Sequence, residues 1–342
     1  MKLGVSIGYW GAGPPGGVPE LLAEAERLGF DSAWTAEAYG SDALTPLAWW
    51  GATTRGLRLG TGIMQMSART PAAVAMAALT MDHLSGGRFI LGLGVSGPQV
   101  VEGWYGQPFG KPLARTREYL SVIRAVLARE RPVEFHGEYV DMPLRDGTGL
   151  GKALRSTVHP LRADLPVVLA AEGPRNVALA AEIADGWLPF FYSPRHDAHY
   201  REALAEGFAR PGARRSPADF EITGHVPLIP GDDVDACADL VRPFLALYIG
   251  GMGARGRNFH FDVFVRMGHE ETATRVQDLY LAGRKQEAAA AIPTSLCEEV
   301  ALLGPVAKLR EEIGLWKGSL LTTMMVGGPP EILRTAAELV LS

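Results

Sequence analysis

Short apolar runs alternate with amphipathic ones along nearly the whole chain, and this alternation limits the fold more than any other feature. The runs at 3–9 (LGVSIGY), 32–37 (SAWTAE), 57–64 (LRLGTGIM), 88–95 (RFILGLGV), 166–171 (PVVLAA), 186–192 (GWLPFFY), 219–229 (DFEITGHVPLI) and 318–326 (GSLLTTMMV) read as buried strands. Helical patterns occupy 17–30, 43–54, 70–84, 114–128, 175–184, roughly 196–209 and 330–341. Within 17–30, Leu21, Leu22, Ala25 and Leu28 share one face; within 70–84, Thr70 stands at the N-cap with Pro71 just inside. A buried strand and a one-sided helix both leave apolar surface, so the units must share a parallel sheet. Eight strand–helix units predict an α/β fold, a closed (β/α)8 TIM barrel forming a single domain over 1–342, ahead of an open doubly wound sheet. Two stretches are too long for ordinary connections. One is 131–165, with a hairpin over 133–142 and a glycine-rich loop around 146–151. The other is 232–316, a helical insertion before the eighth strand. Long insertions after barrel strands usually sit over the catalytic face.

The fourth run ends in Gly92-Leu93-Gly94-Val95-Ser96-Gly97, the written form of a dinucleotide-binding fingerprint. That fingerprint belongs in a first strand–helix turn and needs an acid about 20 residues on. Here three units come first, the downstream segment REYLSVIRAV is helical, and Pro98 follows the last glycine. The Rossmann reading fails, and NAD(H) is not expected to bind. What remains is a small backbone at Gly94–Gly97 that a ligand can approach closely, with N–H groups able to meet an anion. Gly173-Pro174, before a helix from Arg175 or Asn176, repeats the arrangement after the fifth strand. For either loop taken alone, plain turn chemistry is the preferred reading over an anion site.

A net charge of −5 with no basic block argues against nucleic acid or an anionic membrane as partner. No apolar run reaches the roughly 18 residues of a spanning helix. Cys237 and Cys297 stand far apart without neighbouring ligand residues, as expected of a reduced, cytoplasmic protein. His196 and His199 lie three apart on a helix, but nothing completes a metal set, and no metal is expected.

Three segments, AERLGFDSAWTAEAYGSDALTPLAWW, LRLGTGIMQMSARTPAAVAMAALTMDHLSGGRFILGLGVSGPQVVEGWYG and LAAEGPRNVALAAEIADGWLP, resemble the luciferase-like monooxygenase superfamily. Within it the chain is most similar to the coenzyme F420-dependent oxidoreductases of actinobacterial type, relatives of methylenetetrahydromethanopterin reductase. The runs 81–88 (MDHLSGGR) and 181–186 (AEIADG) carry the superfamily likeness; SARTP and GPQVVEGWYG carry the F420 branch. The resemblance implies a TIM barrel binding a flavin-like ring at the C-terminal ends of its strands. It implies hydride transfer between F420 and a small organic substrate. An FMN-dependent monooxygenase and a non-catalytic deazaflavin carrier are the alternatives, with a metal-dependent hydrolase last.

By the same resemblance Gly62–Ile63 matches a bulge with a non-proline cis peptide behind the ring. Gly94, Val95, Ser96 and Gly97 match the cofactor loop, Ala170, Ala171 and Glu172 a strand end beside the ring, and Gly173 and Asn176 a second anion site. Many relatives carry Asp-His after the second strand; here the pair is Glu37-Ala38, so the imidazole is missing. Glu37 is the candidate for ring contact or proton relay, or else a structural acceptor for backbone N–H groups. Tyr9, Trp10, Trp104 and Tyr105 are candidates for the substrate pocket, with packing as the plainer role. Lys111, Arg115 and Arg117 could meet the cofactor's oligoglutamate tail, or form a solvated face. Trp49 and Trp50 lie in a helix of the kind that relatives bury in a homodimer. The glycine-rich 250–260 (GGMGARGRNFH) reads as a loop near the mouth with no assigned role.

Overall fold

The computed structural model describes residues 1–341. Eight parallel strands close on themselves: β1 (Lys2–Gly8), β2 (Ser32–Thr35), β3 (Arg58–Thr61), β4 (Phe89–Gly94), β5 (Val167–Ala170), β6 (Gly186–Leu188), β7 (Glu221–His225) and β8 (Thr323–Val326). Each pairs with the next, and β8 pairs with β1 from Lys2↔Thr323 to Val5↔Val326. Around them run α1 (Val18–Arg27), α2 (Leu44–Gly51), α3 (Pro71–Leu84), α4 (Pro112–Ala128), α5 (Pro174–Ile183), α6 (Asp197–Phe208), α7 (Val306–Lys317) and α8 (Pro330–Val340). The Thr70 side chain caps α3 by accepting from the Ala73 N–H at 3.3 Å. The barrel is the expected TIM fold.

Side chains fill the barrel. Trp34, Ile90, Val168, Leu188 and Met325 form a lumen cluster, with Ile63 and Ala170 on its edge. Gly60 must be glycine, because a Cβ there would lie 2.3 Å from the Trp34 ring. At the N-terminal end, Arg58 bonds Asp31 and Glu221, and Lys2 bonds Glu221 at 2.6 Å, joining β1, β3 and β7.

The strand boundaries depart from the sequence reading where backbone chemistry interrupts the apolar run. The run 57–64 breaks after Thr61; Gly62–Ile63 is cis, and the strand resumes only at Met64–Gln65, beside Leu93 and Gly94 of β4. Across the break the Thr61 hydroxyl replaces the ladder, donating to Gly92 O at 2.8 Å and accepting from Gly92 N–H at 2.9 Å. The run 186–192 stops at Leu188, before Pro189, which has no N–H to donate. The run 219–229 ends at His225, and Leu228–Pro230 pairs instead with Leu302–Gly304. That last strand lies inside the stretch read as helical; its length is too short to show a period. The 133–142 hairpin forms, as Phe135–His136 against Asp141–Met142.

The long insertion carries the helices Val234–Ala246, Phe259–Arg266, Glu270–Leu281, Lys285–Ala290 and Thr294–Val300, with a π-helical turn at Leu247–Gly251. It packs its own core, including Val241, Leu245, Ile249, Phe264, Val276 and Leu296, apart from the barrel's. Among the described residues no helix is long and apolar enough to cross a membrane.

Candidate active site

The C-terminal ends of the strands surround one cavity of about 1220 Å³. In a closed parallel barrel every strand points its last residues there, so each contributes: Tyr9 after β1, Glu37 after β2, Gly62 and Ile63 after β3, Gly94–Gly97 after β4, Ala170–Asn176 after β5. Leu188, His225 and Met325 complete the ring from the last three strands. The floor is made of small or flat groups. A Cβ on Gly94 would lie 2.8 Å from Ile63 Cδ1 and 3.5 Å from Ala170 Cβ, so these three residues touch beneath the opening. Val95, Ser96, Ala171, Glu172, Gly173 and Asn176 also line it. Ser96 holds a left-handed backbone (φ 59). Arg175 and Asn176, at the start of α5, line the cavity and have no ion-pair or hydrogen-bond partner on their side chains among the described residues.

Glu37 is buried with both oxygens engaged. Arg69 donates to each at 2.9 Å, and the Gln65 and Ala43 N–H groups donate at 3.0 and 3.2 Å. It pins the bulge after β3 to the start of α2, which is the structural of its two expected roles. The aromatic candidates divide. Tyr9 and Trp104 line the cavity, whereas Trp10 turns away to pack on Trp50 with ring centroids 5.7 Å apart. Tyr105 also lies outside it, its hydroxyl donating to Ala38 O at 3.3 Å. The expected tail contacts are otherwise engaged: Lys111 pairs with Glu138 at 3.1 Å, Arg117 with Glu182 at 2.5 Å, and Arg115 donates to Pro108 O. His196 meets Glu299 at 3.1 Å, and His269 meets the same carboxylate at 3.0 Å.

Three lining groups had no sequence signal as site residues. His225, at the end of β7, is a single histidine in an ordinary strand; burial drives its ring down to about 4, so it is neutral at physiological pH. Tyr248 stands in the π-turn, its phenol pushed far up by burial, and its hydroxyl donates to that of Tyr9. His260 ends the glycine-rich 250–260 run, placed near the mouth without a role, and lies in the helix that begins at Phe259. Its Nδ1 lies 2.7 Å from Glu172 Oε1.

The sequence matches the model for luciferase-like monooxygenases over residues 4–323. The chain belongs to the luciferase-like monooxygenase family. Among its relatives is Rv3520c of Mycobacterium tuberculosis, which carries the name of a coenzyme F420-dependent oxidoreductase. The two are 57% identical over 99% of each chain. A 5,10-methylenetetrahydromethanopterin reductase of Archaeoglobus fulgidus is 30% identical over 66% of this chain and 64% of its own. Two solved structures share the fold. The coenzyme F420 dependent tetrahydromethanopterin reductase of Methanopyrus kandleri superposes with a TM-score of 0.81 at 22% identity, covering 100% of this chain and 99% of that one. An F420-dependent secondary alcohol dehydrogenase, solved with an F420–acetone adduct, gives 0.74 at 18% identity, covering 99% and 98%. The luciferase-like motifs themselves are scaffold. Asp82 of MDHLSGGR binds Arg162, and Asp185 of AEIADG accepts from the Val167 N–H and from Arg214 and Arg215, each at 2.7 Å.

Proposed function

We propose that the protein transfers a hydride between coenzyme F420 and a small organic substrate. The floor of Ile63, Gly94 and Ala170 carries this reading, in a chain whose full-length relative bears that name. A planar tricyclic group fits such a floor, because Gly94 yields its Cβ space to Ile63 and Ala170 carries only a methyl. When bound, the deazaflavin supplies a two-electron hydride carrier. Ile63 backs that position from below. The Ser96 hydroxyl and the Asn176 amide offer hydrogen bonds along the cavity edge, and Arg175 offers a positive charge to the cofactor's phosphate. Tyr9, Trp104 and the aromatic groups of the insertion exclude water above the floor. Cytoplasmic residence agrees with two buried, unpaired cysteines.

Parallel titrations with F420 and FMN test the assignment, followed by a screen for oxidation of reduced F420 by enones, imines and pterins. Tight FMN binding with no F420 binding would reverse it in favour of the monooxygenase reading.

A further inference from the structure

Adding a hydride to a carbonyl carbon leaves charge on the oxygen, so a proton must arrive with it. The missing histidine after β2 leaves that proton without a source. We propose that His260, set in place by Glu172, exchanges this proton with the oxygen of an uncharged carbonyl substrate carried on a bulky apolar body. The inference rests on the F420 reading above.

The geometry singles out this pair. Glu172 lies two residues beyond Ala170, just past the end of β5. Glu172 and His260 line the same cavity as Ile63, Gly94 and Ala170. His260 arrives from the insertion on a backbone that Asn258 fixes, its Oδ1 accepting from the His260 and Phe261 N–H groups at 3.0 and 3.2 Å. Arg266 ties the same helix to the strand end by donating to Glu172 O at 3.0 Å. The contact between Nδ1 and Oε1 is close but too bent for a hydrogen bond, and Glu172 Oε2 is buried without a donor. Nε2 has no partner among the described residues. A pair serving only as a strut would satisfy its buried atoms; this one is left incomplete at the wall of the cavity. The other lining groups are less suited. Both oxygens of Glu37 are held by Arg69, His225 stays neutral, and burial makes Tyr9 and Tyr248 weaker acids.

The walls define the substrate. Phe190, Phe244, Met252 and Phe259 surround His260 and Tyr248 with apolar surface, and Arg175, the unpaired cation of the cavity lining among the described residues, is the group assigned above to the cofactor's phosphate. In reduction, a hydride that the bound reduced deazaflavin would give up, the carrier being oxidised by two electrons, forms a C–H bond at the carbonyl carbon and the C=O π pair moves onto oxygen. Oxygen takes the proton from His260 Nε2, and the neutral imidazole regains one from water. Alcohol oxidation runs the same steps backwards.

The test uses 4-nitrophenol, an apolar ring bearing one acidic oxygen, whose absorbance separates phenol from phenolate. It is titrated into the full chain as wild type, His260→Gln, His260→Asn, Glu172→Gln and Tyr105→Phe. The wild type should bind it largely as phenolate, the proton having passed to His260. Both His260 variants should bind at least tenfold more weakly and as the phenol. Glu172→Gln should lower the phenolate fraction, and Tyr105→Phe, outside the cavity, should leave it unchanged. Failure of the wild type to bind, or the same affinity and phenolate fraction in His260→Gln, overturns the proposal. An F420 titration of the same wild-type sample separates this outcome from failure of the cofactor reading.

Discussion

Glu37 offers two roles to one carboxylate, and its hydrogen bonds match the structural one. A buried carboxylate held by a guanidinium and two backbone N–H groups is a fastening, and removing one partner of such a pair costs about 3–5 kcal/mol. Glu37→Gln should therefore lower the denaturant midpoint markedly. An unchanged midpoint with lost turnover and intact F420 binding would return Glu37 to catalysis. At the cofactor loop, Gly97 has φ −100 and ψ 160, which any residue adopts, and a Cβ there meets nothing closer than Gln99 Oε1 at 3.4 Å. Gly97→Leu should fold and obstruct F420, while Ser96→Ala should weaken F420 by about 1 kcal/mol, the usual net value of one hydrogen bond. Equal F420 affinity in Gly97→Leu would remove the loop from the site. His225 is legible in stability. Its folded pKa of about 4 lies below the ordinary 6.5, so the unfolded chain binds the extra proton first as the pH falls. Its contribution is complete above 6.5 and is lost between 6.5 and about 4, by up to about 3 kcal/mol, less where cavity water screens the charge. His225→Asn should flatten the pH profile of the melting temperature across that window.

At the scale of elements, Gly92 governs how β3 and β4 pass each other. A Cβ at Gly92 would stand 1.7 Å from Thr61 O, where only backbone movement could make room. Gly92→Ala should abolish the soluble folded barrel, read by circular dichroism; a native spectrum would show that the bulge can shift. The sequence revealed elements unevenly, for physical reasons. Buried parallel strands are continuous apolar runs, so all eight barrel strands stood out, although Pro189 and the bulge shortened them. Leu302–Gly304 was hidden among helices because a strand so short has no period. Motifs such as Asp82 and Asp185 were readable as family marks yet serve as scaffold. His225, Tyr248 and His260 reach the cavity from separate segments, and only closure of the fold brings them together. Tyr9 and Trp10 are adjacent in sequence, yet the cavity receives the first and the Trp50 ring the second.

Across the whole molecule, Trp50 is buried within its own chain at 8% exposure, whereas Trp49 stands 79% exposed on α2, with Met76 and Leu84 bare on the next helix. We propose that this face meets a second copy. Trp49→Glu should convert a dimer to a monomer by light scattering, and a wild type already monomeric at micromolar concentration would refute the interface. The two separate cores have a different consequence. The barrel core supports the floor of Ile63, Gly94 and Ala170, while the insertion, with its own core, supplies Phe244, Tyr248, Met252, Phe259 and His260 overhead. On the reading proposed above, the floor would answer chiefly to the cofactor and the insertion to the substrate. Descendants of such a protein can exchange the cap and keep the hearth, acquiring new substrates through changes confined to 234–300 without relearning how to hold the hydride carrier.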